Sequence, residues 1–325
     1  MREPFVLPES AGASLRERLG AVARDQNGVA RRSQLAALGV SKHVVENMLD
    51  SRRWTAYGPL ALALHNGPLT QRQRMWVTVM NVSDAVGLAA RTAAAEYGLA
   101  GWEADCIEIV VPRGAKVPRV RGIDVKVHES RRFTAGDIHP GRQLPVVTVE
   151  RALVDAAVWS ASPRTACGIL AAGVQQRLTA PGRLLDELSL AGKVRHRKVL
   201  AAALADIEGG AHAVSELDFL RFCRRHGLPR PVLQQVRTDP AGRRRYLDAT
   251  FRRCDGELLR VEIDGALHLV VRTYWDDMSR GNELVLGGER VLRLPSFVVY
   301  ANDPTALSQI RRALRLSEAK PPLTG

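Results

Sequence analysis

Three carboxylates in the C-terminal third of the chain stand at spacings that suit metal-assisted hydrolysis. Asp248 lies in Tyr246-Leu247-Asp248-Ala249-Thr250-Phe251, and Glu262 and Asp264 lie in Val261-Glu262-Ile263-Asp264-Gly265, with His268 shortly after. Each stretch reads as a β-strand, and Asp255-Gly256 between them is a strong hairpin signal. In the second strand Leu259, Val261 and Ile263 alternate with Arg260, Glu262 and Asp264. Alternate residues of a strand share a face, so Glu262 and Asp264 project together, ~7 Å apart at Cα. Pairing of the two strands brings Asp248 to the same face. Clustered oxygen donors suit a hard divalent cation such as Mg²⁺. A metal held there activates water and neutralises charge on a phosphodiester. Charges alternating along a strand are equally what a solvated sheet face shows.

Asp248, a hairpin and Glu262-Ile263-Asp264 together resemble the PD-(D/E)xK nuclease core. The wider segment is similar to a domain-of-unknown-function family related to the very short patch repair endonucleases. The likeness begins at Ser215-Glu216-Leu217 and continues through Gly227-Leu228-Pro229, Gln234, Asp248, Glu262-Ile263-Asp264-Gly265 and His268. It ends with Asp277, Arg280, Leu284 and Val291-Leu292-Arg293. The resemblance implies a Mg²⁺-dependent (or Mn²⁺-dependent) DNA endonuclease. Asp248 and Glu262 would be metal ligands and Glu216 the helix acid that supports them. His268 would position or deprotonate the attacking water, as an imidazole accepts a proton near neutral pH. The family's lysine slot, two residues after the glutamate, holds Asp264 here, as it does not in the general pattern; the very short patch repair branch also lacks that lysine. Asp277 and Arg280 lie one helical turn apart, so Arg280 either pairs on the surface or faces the scissile phosphate.

The chain of 325 residues carries a formal net charge of +13 and a pI near 10.3. That excess points to a polyanionic partner and supports phosphate contact; double-stranded DNA is the partner that the nuclease resemblance implies. Hydrophobic residues at 46% suffice for real cores, and length allows two or three domains. No stretch approaches twenty consecutive apolar residues, so no membrane partner is expected. The N-terminus lacks an apolar signal-peptide core, and four cysteines without a C-x-x-C pair read as buried or free thiols in a reducing cytoplasm. Phosphate-binding P-loop, nucleophile-elbow, zinc-protease and dinucleotide fingerprints are missing.

A second chemistry-bearing region lies near the N-terminus. Periodicity predicts helices over Ser14–Gln26, Arg32–Leu38 and Ser41–Arg52, with Gly39-Val40 as the turn and Ser41 as N-cap. Trp54 to Leu64 reads as a small hairpin around Gly58-Pro59. This is a helix-turn-helix with a wing. Ser41, Lys42, His43, Glu46, Asn47, Arg52 and Arg53 would offer base-edge and phosphate contacts. Residues 18–66 resemble the winged-helix domain of AbiEi-type antitoxins of type IV toxin–antitoxin systems. Thr148-Val149-Glu150-Arg151-Ala152-Leu153-Val154-Asp155 resembles their second domain. A cognate toxin is therefore an expected partner, and a non-enzymatic antitoxin-like repressor with a degenerate nuclease fold is the alternative to the endonuclease. A third possibility is an RNA or displaced single strand as substrate, against which the scarcity of aromatics, 5%, argues.

The expected fold class is α+β and multidomain. A winged helix-turn-helix spans 1–67, a mixed α/β middle domain 68–207, a restriction-endonuclease-like α/β domain 208–316 and a disordered tail 317–325. Residues 1–13 read as a loose arm. Thr70–Met80 and Ser83–Leu99 read as alanine-rich helices, and Cys106–Val111 and Ile123–His128 as strands around a basic loop, 112–121. A helix from Glu150 to Trp159 carries Arg151 and Asp155 at a spacing that permits a surface pair. Helices at 163–178, 183–190 and 196–207 precede the linker candidate Glu208-Gly209-Gly210-Ala211. Helices at Ser215–His226, 275–286 and Asp303–Leu316 and strands at 232–237, 244–251, 257–264 and 290–294 complete the chain.

Overall fold

The computed structural model describes residues 5–8, 12–208, 216–234, 237–238, 244–245, 247–253, 255–264, 291–295 and 297–316. Of the expected site, His268 and Arg280 lie outside them, as do the 275–286 helix and the 317–325 tail. Glu216, Gln234, Asp248 and Asp264 are described by backbone position alone. The chain forms two compact units, Met1–Ala152 and Leu153–Gly325. Helices and small sheets alternate throughout, an α+β arrangement.

The first unit opens with α1 (Ala13–Asp25), β1 (Val29–Arg31), α2 (Arg32–Ala37), α3 (Lys42–Asp50), β2 (Thr55–Tyr57) and β3 (Ala61–Ala63). The strands form one antiparallel sheet in the order β1-β3-β2. Ser41 caps α3 as its type predicts: the Val44 N–H donates to its Oγ at 3.3 Å. Val45 and Met48 of α3 join Leu19, Leu35, Trp54, Leu62 and Leu64 in a buried cluster, with Val44 and Leu49 packed at its margin. The β-sheet segment is therefore fastened to the helices through a shared core.

Residues 5–8 correct the expectation of a loose arm. Phe5 is buried in that same cluster, the Val6 N–H donates to the Leu64 carbonyl, and the Trp54 indole donates to the Val6 carbonyl at 2.7 Å. The apolar residues Phe5 and Leu7 gain more from burial than the segment loses in chain freedom.

The hairpin turn is pinned from α4 (Gln71–Met80), which Thr70 caps. Asn81, buried at its C-cap, accepts from the Leu60 N–H at 3.0 Å and donates to the Tyr57 carbonyl at 2.8 Å. Its amide also donates to the Val77 carbonyl.

Beyond α4 the alanine-rich stretch Ser83–Leu99 is helical only over α5 (Ala90–Glu96). Gly87 and Leu88 form β4, which pairs antiparallel with β5 (Ile107–Val111); β5 pairs in parallel with β6 (Val125–Glu129). Pairing with β5 overrides local helix preference there. A Cβ at Gly87 would lie 3.1 Å from Val147 Cγ1, so glycine permits the close approach. Arg151, on α6 (Val149–Val158), is 1% exposed and pairs with Asp137 at 3.1 Å. It is not the surface residue that the spacing suggested.

The second unit contains α7 (Pro163–Gln175), α8 (Pro181–Leu190), α9 (Arg197–Ile207) and α10 (Glu216–Arg225). Strands follow: β7 (Val232–Gln234), β8 (Arg237–Thr238), β9 (Arg244–Arg245), β10 (Leu247–Arg252), β11 (Leu258–Asp264) and β12 (Val291–Pro295). Helices α11 (Phe297–Ala301) and α12 (Pro304–Ala313) close the unit. Asp303 caps α12 by accepting from the Thr305 and Ala306 N–H groups. The main sheet has the order β12-β11-β10-β7. Helices α7, α9 and α10 each pack against α11.

Alternation along β11 behaves as read: Leu259, Val261 and Ile263 are buried, as are Ala249 and Phe251 of β10 and Leu292 and Leu294 of β12. Phe219 of α10 meets Phe251 edge-on, with centroids 6.1 Å apart, and so joins the helix to this apolar face. Gly256, at φ +83, turns the β10–β11 hairpin beside Asp255, whose Oδ1 accepts from the Glu257 N–H.

Candidate functional site

The apolar face of the four-stranded sheet fixes what the other face carries. Antiparallel pairing sets Asp248 directly opposite Glu262. Gln234 of β7 stands opposite Asp248 on its other side, and Arg293 of β12 is the parallel partner of Glu262. One row, Gln234–Asp248–Glu262–Arg293, therefore crosses all four strands, and opposite residues of neighbouring strands lie ~4.5–5.5 Å apart at Cα. Asp264 stands two residues along β11, opposite Pro295 of β12. Glu216 is the first residue of α10. Register thus brings Asp248 and Glu262 together, with Asp264 at the next position of the same period.

Glu262 is the acid of this row whose side chain is described. Its Oε2 accepts from Arg293 Nε at 3.0 Å. The carboxylate is 20% exposed and the guanidinium 60%, so the pair spans the boundary between sheet and solvent. Arg293 and Gln234 lie within the motif, but their residue types and spacing gave neither a role. The signal lay in the register: strands joined in parallel place residues 31 apart side by side.

Two oxygen-bearing side chains opposite one another, with a third two residues on, are the donor types a hard cation takes. Asp248, Glu262, Glu216 and Asp264 carry the oxygen donors that Mg²⁺ or Mn²⁺ takes, and the strand register relates the first two and Asp264. Among the described residues no group of three or more His, Cys, Asp or Glu side chains gathers around one point.

The N-terminal candidates occupy the outward side of α3 and the segment after it. Lys42, His43, Glu46 and Asn47 are exposed there, opposite the buried Val45 and Met48. Lys42 approaches Glu46 at 3.5 Å across one turn, an exposed pair of small energetic weight. Arg52 and Arg53 are exposed beyond the helix, and Arg52 adopts φ +53 as the chain leaves it. The Ser41 hydroxyl accepts the capping N–H, which ties it first to the helix terminus.

A further polar cluster escaped the sequence reading. Glu108 of β5, 2% exposed, faces Lys126 at 3.5 Å and His128 at 3.8 Å on β6, and Arg91 Nε at 3.5 Å. The Arg91 N–H donates to it at 3.0 Å, across the left-handed backbone of Ala90. Burial works to raise the carboxyl pKa, but His128, Arg91 and Lys126 together hold it below the ordinary value. Cys106, Cys167 and Cys223 are free thiols, as expected, and burial pushes Cys167 and Cys223 up to about 12. No described helix is long and apolar enough to cross a membrane.

No protein-family model matches the chain, and no curated protein matches it. Among solved structures, the crystal structure of the RV2827C protein from Mycobacterium tuberculosis is similar to it at 17% sequence identity, with a TM-score of 0.38. The likeness covers 65% of this chain and 82% of that one.

Proposed function

We propose that this is a DNA-binding protein whose C-terminal segment, 208–316, hydrolyses phosphodiester bonds with Mg²⁺ or Mn²⁺ in a PD-(D/E)xK-type site. The observation that carries the reading is the register that sets Asp248 opposite Glu262 on a sheet whose other face is buried. In this reading residues 1–67 are a winged helix-turn-helix, supported by the α1-β1-α2-α3-β2-β3 order and the β1-β3-β2 sheet. Lys42, His43, Asn47, Arg52 and Arg53 then reach duplex DNA from the exposed side of α3, with Ser41 fixing the helix start. Residues 68–207 form the AbiEi-like middle region, and a cognate toxin is a further partner.

Asp248, Glu262 and Glu216 would hold the metal, which when bound supplies water activation and charge neutralisation. Arg293 orients the Glu262 carboxylate by donating from its Nε at 3.0 Å, and its guanidinium, 60% exposed, would lie beside a phosphate drawn to the row. By the family resemblance, His268 would take the proton of the attacking water and Arg280 would contact the scissile phosphate; both lie outside the described residues. The test is Mn²⁺ titration of the full chain, followed calorimetrically and by electron paramagnetic resonance. Binding should be lost in Asp248→Ala and Glu262→Ala while duplex affinity stays near that of the parent. Equal Mn²⁺ binding by parent and both variants would remove the metal assignment.

One observation favours a second reading, a non-enzymatic antitoxin-like repressor. Glu262 already has a counterion in Arg293, and Asp264 fills the family's lysine slot. That reading requires sequence-selective binding to the protein's own promoter in the presence of chelator. No preference for that promoter over random duplex would count against it.

A further inference from the structure

Helix α10 ends in a way that builds a cleft. The Leu228 N–H donates to the Cys223 carbonyl at 2.9 Å and the Gly227 N–H to the Arg224 carbonyl at 3.3 Å. Gly227 has φ +62, the left-handed conformation that this double closure requires. The closure ends the helix and places Leu228 and Arg230 on the same cleft as Cys223. A cleft of about 570 Å³ results, lined among the described residues by Leu220, Arg221, Cys223, Arg224, Leu228 and Arg230.

Its lining is divided by chemistry. Leu220, Cys223 and Leu228 give an apolar floor, with Cys223 2% and Leu228 7% exposed. Three guanidinium groups surround it. Arg221 pairs with Asp218 at 3.2 Å. The side chains of Arg224 and Arg230 are exposed and make no hydrogen bond or ion pair with any described residue. No carboxylate belongs to the described lining. Cations near a helix C-terminus complement the helix dipole, which accounts for Arg224. It does not account for Arg230, five residues past α10; Arg221, a turn earlier, already has a partner in Asp218. The volume lies in the ~300–1,000 Å³ range of small-molecule sites and exceeds what a bare phosphate fills.

We infer that this cleft binds a nucleoside phosphate, with Arg224 and Arg230 on the phosphate and the base over Leu220, Cys223 and Leu228. Planar guanidinium forks match phosphate oxygens in pairs, and Arg221 is placed to stack on a base. The same chemistry comes from a free nucleotide or from one unit of a nucleic-acid strand. The site lies on α10 and does not depend on the acidic row being catalytic.

The test is calorimetric titration of the full chain with dAMP, deoxyadenosine, inorganic phosphate and a single-stranded (dA)₈ oligonucleotide. Arg224→Gln and Arg230→Gln, both at exposed positions, serve as variants, with folding checked by circular dichroism. We expect dAMP to bind at least about tenfold more tightly than deoxyadenosine or phosphate, and each variant to lose at least about tenfold. A parallel loss for the oligonucleotide assigns the source as a strand; a loss for dAMP alone assigns a free nucleotide. Asp248→Ala should bind dAMP like the parent, which separates this site from the acidic row. The inference is overturned if neither dAMP nor the oligonucleotide responds to the arginine substitutions, or if inorganic phosphate binds as tightly as dAMP.

Discussion

Replacing Asn81 by alanine should loosen the β2–β3 hairpin, because this one side chain holds both ends of its turn. Two of its hydrogen bonds reach the hairpin, from the Leu60 N–H at 3.0 Å and to the Tyr57 carbonyl at 2.8 Å. The third returns to Val77 in its own helix, also at 2.8 Å. At ~0.5–1.5 kcal/mol net for each bond to the turn, the substitution costs about 2 kcal/mol. The first unit has 152 residues, for which 1 kcal/mol lowers Tm by ~2–4 °C, so a fall of roughly 4–8 °C is expected. Asn81→Asp should be worse, since it keeps the acceptor for Leu60 but sets a carboxylate against two carbonyl oxygens. Gly58 supplies a second check. A Cβ there would lie 2.6 Å from Asn81 Oδ1, at a backbone φ of +75. Gly58→Ala therefore carries a collision and a backbone strain. In the Asn81→Ala background the collision is gone and the strain remains. The two substitutions should be non-additive by about 1 kcal/mol or more. The assay is thermal unfolding of the four proteins followed by circular dichroism. An Asn81→Ala Tm within about 1 °C of the parent, or an Asn81→Asp variant as stable as the parent, would refute the clamp.

Two further predictions concern buried contacts. Because the Glu108 pKa is depressed by folding, its stabilising contribution is complete above the ordinary carboxylate value and is lost as pH falls through the depressed one. Glu108→Gln should therefore be less stable than the parent at neutral pH, with the gap closing on acidification in denaturant titrations; a constant gap would contradict this. Gly173→Ala places a Cβ 2.6 Å from Leu153 Cδ1, and Leu153 is fully buried. The helix-propensity gain of ~0.5–1 kcal/mol is outweighed by an overpacking cost of ~1–3 kcal/mol, so urea unfolding should show a net loss. A more stable variant would show that Leu153 moves aside freely.

The parts of the fold that were legible in the sequence are those set by neighbours along the chain. Ser41 announced the start of α3, Asp255-Gly256 the hairpin, and the Leu259/Val261/Ile263 alternation the buried face of β11. The opposition of Asp248 and Glu262 followed from that hairpin and that alternation. What was illegible depends on partners far away in sequence. Phe5 and Val6 are held by Leu64 and Trp54, some fifty residues on. Gly87 and Leu88 become a strand because Val110 and Ile109 pair with them, against the helix preference of the surrounding alanines. Arg151 finds Asp137 fourteen residues back, and Arg293 finds Glu262 through a parallel register that no local pattern encodes.

The central claim is that the Asp248–Glu262 row cuts DNA. Its most direct test is incubation of the purified protein with supercoiled plasmid and Mg²⁺ or Mn²⁺, beside Asp248→Ala and Glu262→Ala. Metal-dependent nicking or linearisation by the parent is expected, reduced to background in both variants with duplex binding retained. Cutting by both variants at the parent's rate, or duplex binding by the parent with no cutting in either metal, would contradict it.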